Sequence, residues 1–305
     1  MNGLLLIDKP AQYTSHDVVA RVRHALGIRA VGHAGTLDPF ATGLLILCIG
    51  QATRLSEYLI GEDKAYSGRM KLGERTRTDD LDGEVIERRP VLVSPADLQR
   101  ASESFTGEIL QKPPSYSAIQ IHGKRAYKLA RQGEVVDLPA RTVRVEQLEL
   151  TQVDDPYLDI HVTCSAGTYI RALARDIGEM LGCGAHLTAL RRERSGDFAL
   201  ADAVPLEVFL QSAMGESAGE NWPPYLLPMD RAVHSLSAIH LDEPHIQHFL
   251  MGQAVAVSMA QGSPDAATLS ALCRVYDPGG TFVAIGKVAC ASGVLSPYKV
   301  FQHRQ

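Results

Sequence analysis

A loop rich in glycine, threonine and proline lies between two apolar segments near the start of the chain and limits how both can fold. The loop covers residues 31–45, and its three glycines accept backbone angles that other residues avoid. Pro39 fixes the backbone and pushes Asp38 towards an extended conformation. The pattern predicts sharp turns and one carboxylate that is held rigidly. Asp38 is therefore a candidate for chemistry, although an Asp-Pro pair commonly forms only an Asx-turn.

The composition indicates an ordinary globular protein. The chain of 305 residues is 45% hydrophobic and 21% charged, which suits one large domain or two unequal domains. Apolar runs such as 44–49 are far too short to cross a bilayer, and the N-terminus lacks the pattern of a signal peptide. We therefore expect a cytoplasmic protein without membrane contact.

The potential metal ligands are scattered or incomplete. The five cysteines occur without close spacing, which favours buried reduced thiols over a zinc site. The segment Asp80-Leu81-Asp82-Gly83 resembles part of a calcium loop but lacks the other spaced ligands and the distant glutamate. We expect a solvated turn there and no bound metal.

The hydrophobic periodicity predicts a mixture of strands and helices. Strands are expected at 3–7, 64–73, 157–164 and 186–196. The run 44–49 fits either a strand or the start of a helix, and Ser15 is the expected N-cap of a helix that stops at Gly27. Linker composition over 215–228 marks a domain boundary, and a small β-rich region follows it.

Cations and aromatic side chains are interleaved in the middle of the chain. Lys124, Arg125 and Lys128 surround Tyr127, and further cations follow as far as Arg144. Such a surface suits a nucleic acid, because cations follow phosphates and aromatic rings stack on bases. An ordinary solvated helix is the alternative, and the net charge of −5 argues against non-specific binding of nucleic acid.

Arg171 occupies an unusual position for a cation. It falls in the first turn of a predicted helix, where the helix dipole favours acidic residues by about 0.3–1 kcal/mol. A residue placed against a local preference often has a specific partner. Arg171 therefore either pairs with an acid elsewhere in the chain or reaches out into solvent.

Several segments, in this order along the chain, together resemble the bacterial TruB-type tRNA pseudouridine synthases. The resemblance runs over about residues 3–200. It is carried by Gly3–Pro10, Gly32-His33-Ala34-Gly35-Thr36-Leu37-Asp38-Pro39, Lys64-Ala65-Tyr66, Pro113-Pro114-Ser115-Tyr116-Ser117-Ala118, Gly167-Thr168-Tyr169-Ile170-Arg171 and Leu190-Arg191-Arg192.

The resemblance implies a fold and a reaction. The fold would be α+β, with a mixed, mostly antiparallel central sheet and flanking helices in a catalytic domain over 1–228. A basic insertion at about 113–144 would form a thumb that clasps RNA, and 235–305 would form a PUA-like RNA-binding domain. The reaction would convert uridine 55 in the T-loop of tRNA into pseudouridine, in a monomer that uses no cofactor and no metal.

The resemblance also implies roles for single residues. Asp38 would be the nucleophile on a flipped-out base, Arg171 its partner, and Tyr66 the active-site tyrosine, although a strand tyrosine can also simply pack in a core. The expected substrate-binding residues are His33, Tyr169, Leu190, Lys9, Lys124 and Arg125. His33 has the alternative of a loop histidine that bonds the backbone. Whether Asp38 attacks the sugar or the base stays open.

Two other functions compete with this interpretation. One is a tRNA-binding folding chaperone in which catalysis is secondary or lost. The other is an N-glycosidase with a single catalytic aspartate, which would release free uracil from RNA. The product formed from RNA distinguishes all three.

Overall fold

The computed structural model describes most of the chain. The described residues are 1–117, 119–121, 123–132, 134, 136–214, 222–257, 272–289 and 292–301. Part of the predicted linker, residues 215–221, lies outside them, as does Cys290; the other four cysteines are buried free thiols. No helix in the described ranges has the length and apolar character needed to cross a membrane.

Strands and helices alternate along the described part of the chain. The strands are β1 (Gly3–Lys9), β2 (Val31–His33), β3 (Thr42–Ile49), β4 (Lys64–Leu72), β5 (Glu74–Thr76), β6 (Val85–Arg88), β7 (Gly107–Gln111), β8 (Gln120–Ile121), β9 (Lys124–Arg125), β10 (Arg141–Asp154), β11 (Tyr157–Cys164), β12 (Ala185–Ser195), β13 (Phe198–Ala199), β14 (Val204–Pro205), β15 (Leu226–Leu227), β16 (Ser237–His240), β17 (Val255–Ala256), β18 (Leu272–Tyr276), β19 (Phe282–Ala289) and β20 (Val294–Val300). The α-helices are α1 (Ser15–Leu26), α2 (Ser56–Ile60), α3 (Pro95–Ser104), α4 (Ala126–Arg131), α5 (Ile170–Met180), α6 (Leu206–Met214) and α7 (Glu243–Leu250).

One large sheet dominates the fold. Its strands run in the order β14-β1-β3-β12-β4-β11-β10-β7, and β2, β13 and β15 pair at its sides. Within this sheet, neighbouring strands are antiparallel except for β1 with β14 and β3 with β12, which are parallel. Apolar faces of α1, α3, α5 and α6 share one hydrophobic core with this sheet. The predicted α+β fold with a mixed, mostly antiparallel sheet is therefore confirmed.

Strand β3, which begins within the loop at 31–45 and continues beyond it, is buried on both faces. Leu45 and Leu47 of β3 face the helices, whereas Leu44 and Ile46 face a second core. Burial on both faces explains the unbroken apolar run at 44–49 and resolves it as a strand.

A second sheet packs against that other face. Its five strands have the order β16-β18-β19-β20-β17, and it has its own apolar core with α7. Phe282 and Phe301 join the core that contains Leu4 and Ile46 of the large sheet. The small β-rich region after the linker is thus present, whereas its limit at 235 and the limit of the catalytic domain at 228 stay predictions.

The start of α1 differs by one residue from the predicted start. The N-cap is Thr14, whose hydroxyl accepts a hydrogen bond from the Asp17 amide at 3.1 Å, so the prediction of Ser15 as the cap was wrong. Both residue types cap helices well, and a tertiary contact decides between them. The Ser15 hydroxyl instead accepts a hydrogen bond from the Leu37 amide at 2.9 Å, within the loop that carries Asp38.

Candidate active site

A buried lysine anchors the loop that carries Asp38. Lys9 of β1 has no exposed surface, and its ammonium donates to the carbonyls of Pro10, Tyr13 and Pro39 at 3.0, 2.7 and 3.3 Å. Burial lowers the pKa of this lysine to about 8. Lys9, which we expected to bind substrate, therefore lies behind the loop and holds it in place.

Gly43 lets the end of the loop pass directly against β12. Its φ is +98°, and a Cβ there would lie 2.4 Å from the carbonyl oxygen of Arg192. No residue with a side chain fits this approach, which explains the glycine in the sequence. The close contact fixes the distance between the loop and the strand that carries Leu190.

Asp38 and Arg171 form a bidentate ion pair. Nε of Arg171 lies 2.9 Å from one carboxylate oxygen of Asp38, and Nη2 lies 3.0 Å from the other. The Arg171 side chain is 6% exposed, whereas that of Asp38 is 31% exposed. The pair explains the cation in the first turn of α5, and it presents a charged carboxylate to an open space.

The remaining donors of Arg171 hold two other segments. Nη1 donates to the carbonyl of Thr78 and lies 3.3 Å from the carboxylate of Asp80, and Nη2 donates to the carbonyl of Tyr116. Asp80 is buried, so the expectation of a solvated turn is wrong at this residue. Burial raises the pKa of Asp80, and its hydrogen bond with Thr78 and the charge of Arg171 oppose that rise.

Tyr66 of β4 lines the same cleft as Asp38. It is directly opposite Arg192 in the pairing of β4 with β12, and Leu190 is opposite Gly68. Burial raises the pKa of the Tyr66 phenol, and the neighbouring Arg192 guanidinium opposes that shift. Because Gly68 lacks a side chain, Leu190 can lie over β4, and the two strands form a floor with an aromatic and an apolar part.

A cleft of about 580 Å³ opens above this floor. Asp38, Tyr66, Arg171, Tyr169 and Leu190 all line it, so five of the predicted site residues meet in one place. The cleft has room for a single nucleoside. Further residues that line it include His16, Lys64, Asp80, Tyr127, Arg141 and Arg192.

Tyr169 is held from two sides. The buried amide side chain of Gln111 accepts a hydrogen bond from the Tyr169 amide at 2.9 Å and donates to its carbonyl at 3.1 Å. The guanidinium of Arg141 lies 4.9 Å from the centre of the Tyr169 ring. This support orients the aromatic ring at the wall of the cleft. The sequence indicated Arg141 only as one of the cations that follow Lys124, and it gave no signal for Gln111.

The other expected substrate-binding residues lie outside the cleft. The His33 ring contacts that of His16 edge to face, with ring centres 5.4 Å apart, and burial lowers the pKa of His33 to about 4. Lys124 and Arg125 are exposed on the short hairpin of β8 and β9, immediately before α4. Tyr127 of α4 connects this basic segment to the cleft.

Metal ligands do not cluster in the part of the chain that the structure describes. No group of three or more histidine, cysteine, aspartate or glutamate side chains there could hold an ion. The carboxylate of Asp80 faces Arg171 instead.

Models of known protein families match nearly the whole chain. Residues 23–170 match the N-terminal domain of TruB family pseudouridylate synthases, and 171–234 match the C-terminal domain of tRNA pseudouridylate synthase B. Residues 237–301 match the C-terminal region of pseudouridine synthase II TruB.

Individual proteins agree with these matches. The chain is 41% identical over 302 residues to tRNA pseudouridine synthase B of Pseudomonas putida strain F1, which covers 99% of this chain and 96% of that protein. It is 42% identical over 300 residues to tRNA pseudouridine synthase B of Burkholderia lata, covering 98% and 90% of the two chains. A chain in the crystal structure of a Cbf5-Nop10-Gar1 complex is similar with a TM-score of 0.72 at 27% identity, over 99% of this chain and 85% of that one. The chain therefore belongs to the TruB family of pseudouridine synthases.

Proposed function

We propose that this pseudouridine synthase acts on tRNA and converts uridine 55 of the T-loop into pseudouridine, with Asp38 as the nucleophile. The observation that carries the proposal is the bidentate pair of Asp38 and Arg171 beside a cleft of nucleoside size. An arginine that is itself buried fixes the direction of the carboxylate, which is what a nucleophile needs.

The reaction requires a group that holds an intermediate. Uridine must lose its N1–C1′ bond, rotate, and rejoin the sugar through C5. A carboxylate can hold the sugar or the base while the ring turns. Tyr66 lies on the floor of the same cleft as Asp38, where its ring stacks on the base and its hydroxyl can assist the transfer of the C5 proton.

The base must leave the RNA stack before it can reach Asp38. Flipping costs a few kcal/mol, which contacts with Tyr66, Tyr169 and Leu190 offset. The thumb at about 113–144, with Lys124 and Arg125, contacts the phosphates of the T-arm, and His33 acts beside Asp38 in the RNA. The region 235–305 binds RNA as a PUA-like domain next to the catalytic domain over 1–228. The enzyme works in the cytoplasm as a monomer.

The test compares wild type with Asp38→Asn and Asp38→Ala on a T-arm transcript labelled with tritium at C5 of uridine. We expect tritium release from the wild type, none from either variant, and unchanged RNA binding by both. Asp159→Asn is a matched control, because Asp159 forms a similar two-point pair with Arg69 on the same sheet, at 2.7 and 3.2 Å. Retained activity in either Asp38 variant refutes the proposed nucleophile.

The same samples separate the competing functions. An N-glycosidase releases free uracil, which chromatography detects, and a chaperone binds the transcript without changing any uridine. Mapping of pseudouridine in a whole tRNA then tests position 55.

A further inference from the structure

Two buried cations lie side by side on the floor of the cleft. Lys64 and Tyr66 stand two residues apart on β4 and so project from the same face, and Arg192 lies opposite Tyr66 on β12. Lys64 is 6% exposed and Arg192 is 1% exposed, yet both line the cleft. We call Lys64 and Arg192 the cationic floor.

The cationic floor has carbonyl partners but no carboxylate partner. The Lys64 ammonium donates to the carbonyls of Ile60 and Glu62. The Arg192 guanidinium donates to the carbonyls of Leu44 at 2.7 Å and Gly35 at 3.1 Å. Within the described ranges neither cation forms a salt bridge, whereas Arg171 in the same cleft lies against two carboxylates.

Burial of two cations without a counter-ion opposes folding. Each ion loses hydration, and nearby like charge adds repulsion. Both effects act on Lys64. Burial and the charge of Arg192 together lower the pKa of its ammonium group to about 8. The two cations thus give the cleft a positive potential at the expense of stability. Such a potential stabilises negative charge that a ligand brings or that develops during its reaction.

We propose that Lys64 and Arg192 stabilise the negative charge that the uracil ring carries after its bond to C1′ has broken. The inference rests on the proposed function. When Asp38 attacks the sugar, a carboxylate oxygen bonds C1′ as the N1–C1′ bond breaks, and the electron pair of the broken bond stays with N1 and spreads onto O2 and O4. The ring then uses this pair to form the C5–C1′ bond, the C1′–O bond breaks, and its pair returns to the Asp38 carboxylate. C5 then loses its proton and N1 gains one, so the ring is anionic only after the N1–C1′ bond has broken and before the C5–C1′ bond has formed.

The position of the cationic floor favours the base over an RNA phosphate. Both side chains lie beside Tyr66, and Leu190, two residues before Arg192 on the same face, adds an apolar wall. A base can lie against such a wall, whereas the phosphates of a flipped nucleotide stay with the strand outside. Exposed cations such as Lys124 suit those phosphates better.

The test removes the charge at Lys64 and varies the acidity of the uracil. Lys64→Met deletes the ammonium, Lys64→Arg keeps the charge, and Lys71→Met is the matched control. Lys71 lies on the same strand and pairs with Glu74 at 2.9 Å, away from the cleft. Single-turnover rates are measured on T-arm transcripts with uridine or 5-fluorouridine at position 55, as the disappearance of the starting nucleoside in chromatograms of nuclease digests. With 5-fluorouridine the reaction ends once C5 has bonded C1′, because C5 then carries fluorine and has no proton to lose, and the N1=C6 bond that remains adds water. The dissociation constant for each RNA is measured at several salt concentrations.

We expect Lys64→Met to slow the reaction of uridine by about 100-fold, as the loss of one electrostatic stabiliser does in other sites. RNA affinity stays the same, and Lys64→Arg retains most of the rate. The loss is smaller on 5-fluorouridine, because fluorine withdraws electrons and stabilises the ring anion by itself. A structural defect would slow both substrates equally, and melting curves of the variants show whether they are folded.

Three results overturn the inference while the wild type still makes pseudouridine. They are an unchanged rate in Lys64→Met, an equal loss on both substrates, and weaker RNA binding with a smaller salt slope, which would place a phosphate on Lys64. If the wild type itself leaves uridine unchanged, the proposed function fails, and the inference fails with it.

Discussion

Replacing Asp80 with asparagine should slow catalysis although Asp80 does not contact Asp38 in the structure. Its carboxylate lies 3.3 Å from Nη1 of Arg171, and its side chain is 7% exposed. The substitution preserves the shape of the side chain and removes one of the two negative charges that face the guanidinium. Arg171 is then held less firmly in the orientation in which it donates two hydrogen bonds to Asp38.

The size of the effect follows from the geometry. Two unit charges 3.3 Å apart attract each other by about 5 kcal/mol at an effective dielectric constant of 20. Loss of hydration offsets much of this attraction, and hydrogen bonds to charged groups contribute about 1.5–3 kcal/mol net. If that amount is lost from the positioning of Asp38, the rate falls about 10- to 150-fold, since 1.36 kcal/mol corresponds to tenfold.

The assay is the single-turnover rate of pseudouridine formation, measured with the dissociation constant for tRNA. We expect the rate to fall and the affinity to stay unchanged. Asp159→Asn is again the control, because it breaks an arginine–carboxylate pair outside the cleft. A wild-type rate in Asp80→Asn would refute the reasoning that Asp80 positions Arg171. Weaker tRNA binding at an unchanged rate would assign Asp80 to RNA contact instead.

The pH dependence gives a second check on Asp80. Burial raises its pKa, so on acidification Asp80 takes up a proton at a higher pH than an exposed aspartate, whose pKa is about 3.9. Protonation removes the same charge that asparagine removes. The wild-type rate should therefore fall as the pH drops through the raised pKa of Asp80, and Asp80→Asn should lack that decrease.

Two further predictions concern the loop and the thumb. Gly43→Ala should destabilise the fold by about 2–5 kcal/mol, because φ is +98° and the new Cβ would meet the Arg192 carbonyl. Gly27→Ala, with φ +64° and open space around it, should lose only about 1–2 kcal/mol in the same urea titration, and equal losses would contradict the steric argument. Replacing Lys124 and Lys128 with glutamine should weaken tRNA binding and reduce the salt slope by about one unit per lost phosphate contact. An unchanged slope would show that these cations do not contact phosphates.

Local sequence patterns predicted one half of the central ion network and missed the other. Arg171 stood out because a cation in the first turn of a helix opposes the dipole, and its partner Asp38 stood out because glycines and Pro39 surround it. Asp80 lies in a segment crowded with charges, where a solvated turn is the ordinary interpretation. Only the packing of α5 against the turn after β5 buries it next to Arg171.

The cationic floor shows the same limit for a different reason. Lys64 and Arg192 lie within two of the segments that resemble the family, but 128 positions separate them in the chain. Their proximity depends on the register of β4 with β12, which pairs Tyr66 with Arg192. A shift of that register by one residue would turn Arg192 to the other face of the sheet. Sequence periodicity predicts each strand but does not determine which residues face each other across two strands.

The position of Asp38 depends on elements beyond its own loop. Three hydrogen bonds fix the loop. Lys9 of β1 donates to the carbonyl of Pro39, and Arg192 of β12 donates to the carbonyl of Gly35. The Ser15 hydroxyl of α1 accepts from the Leu37 amide. These three contacts come from elements that are fixed to one another by the large sheet and its core. The sheet therefore determines where Asp38, the proposed nucleophile, lies relative to Tyr66 and Leu190. The glycines let the loop come close enough to these elements to be held by them. Substitutions at the buried ends of β1 or β12 should consequently alter the chemistry even where their side chains never reach the cleft.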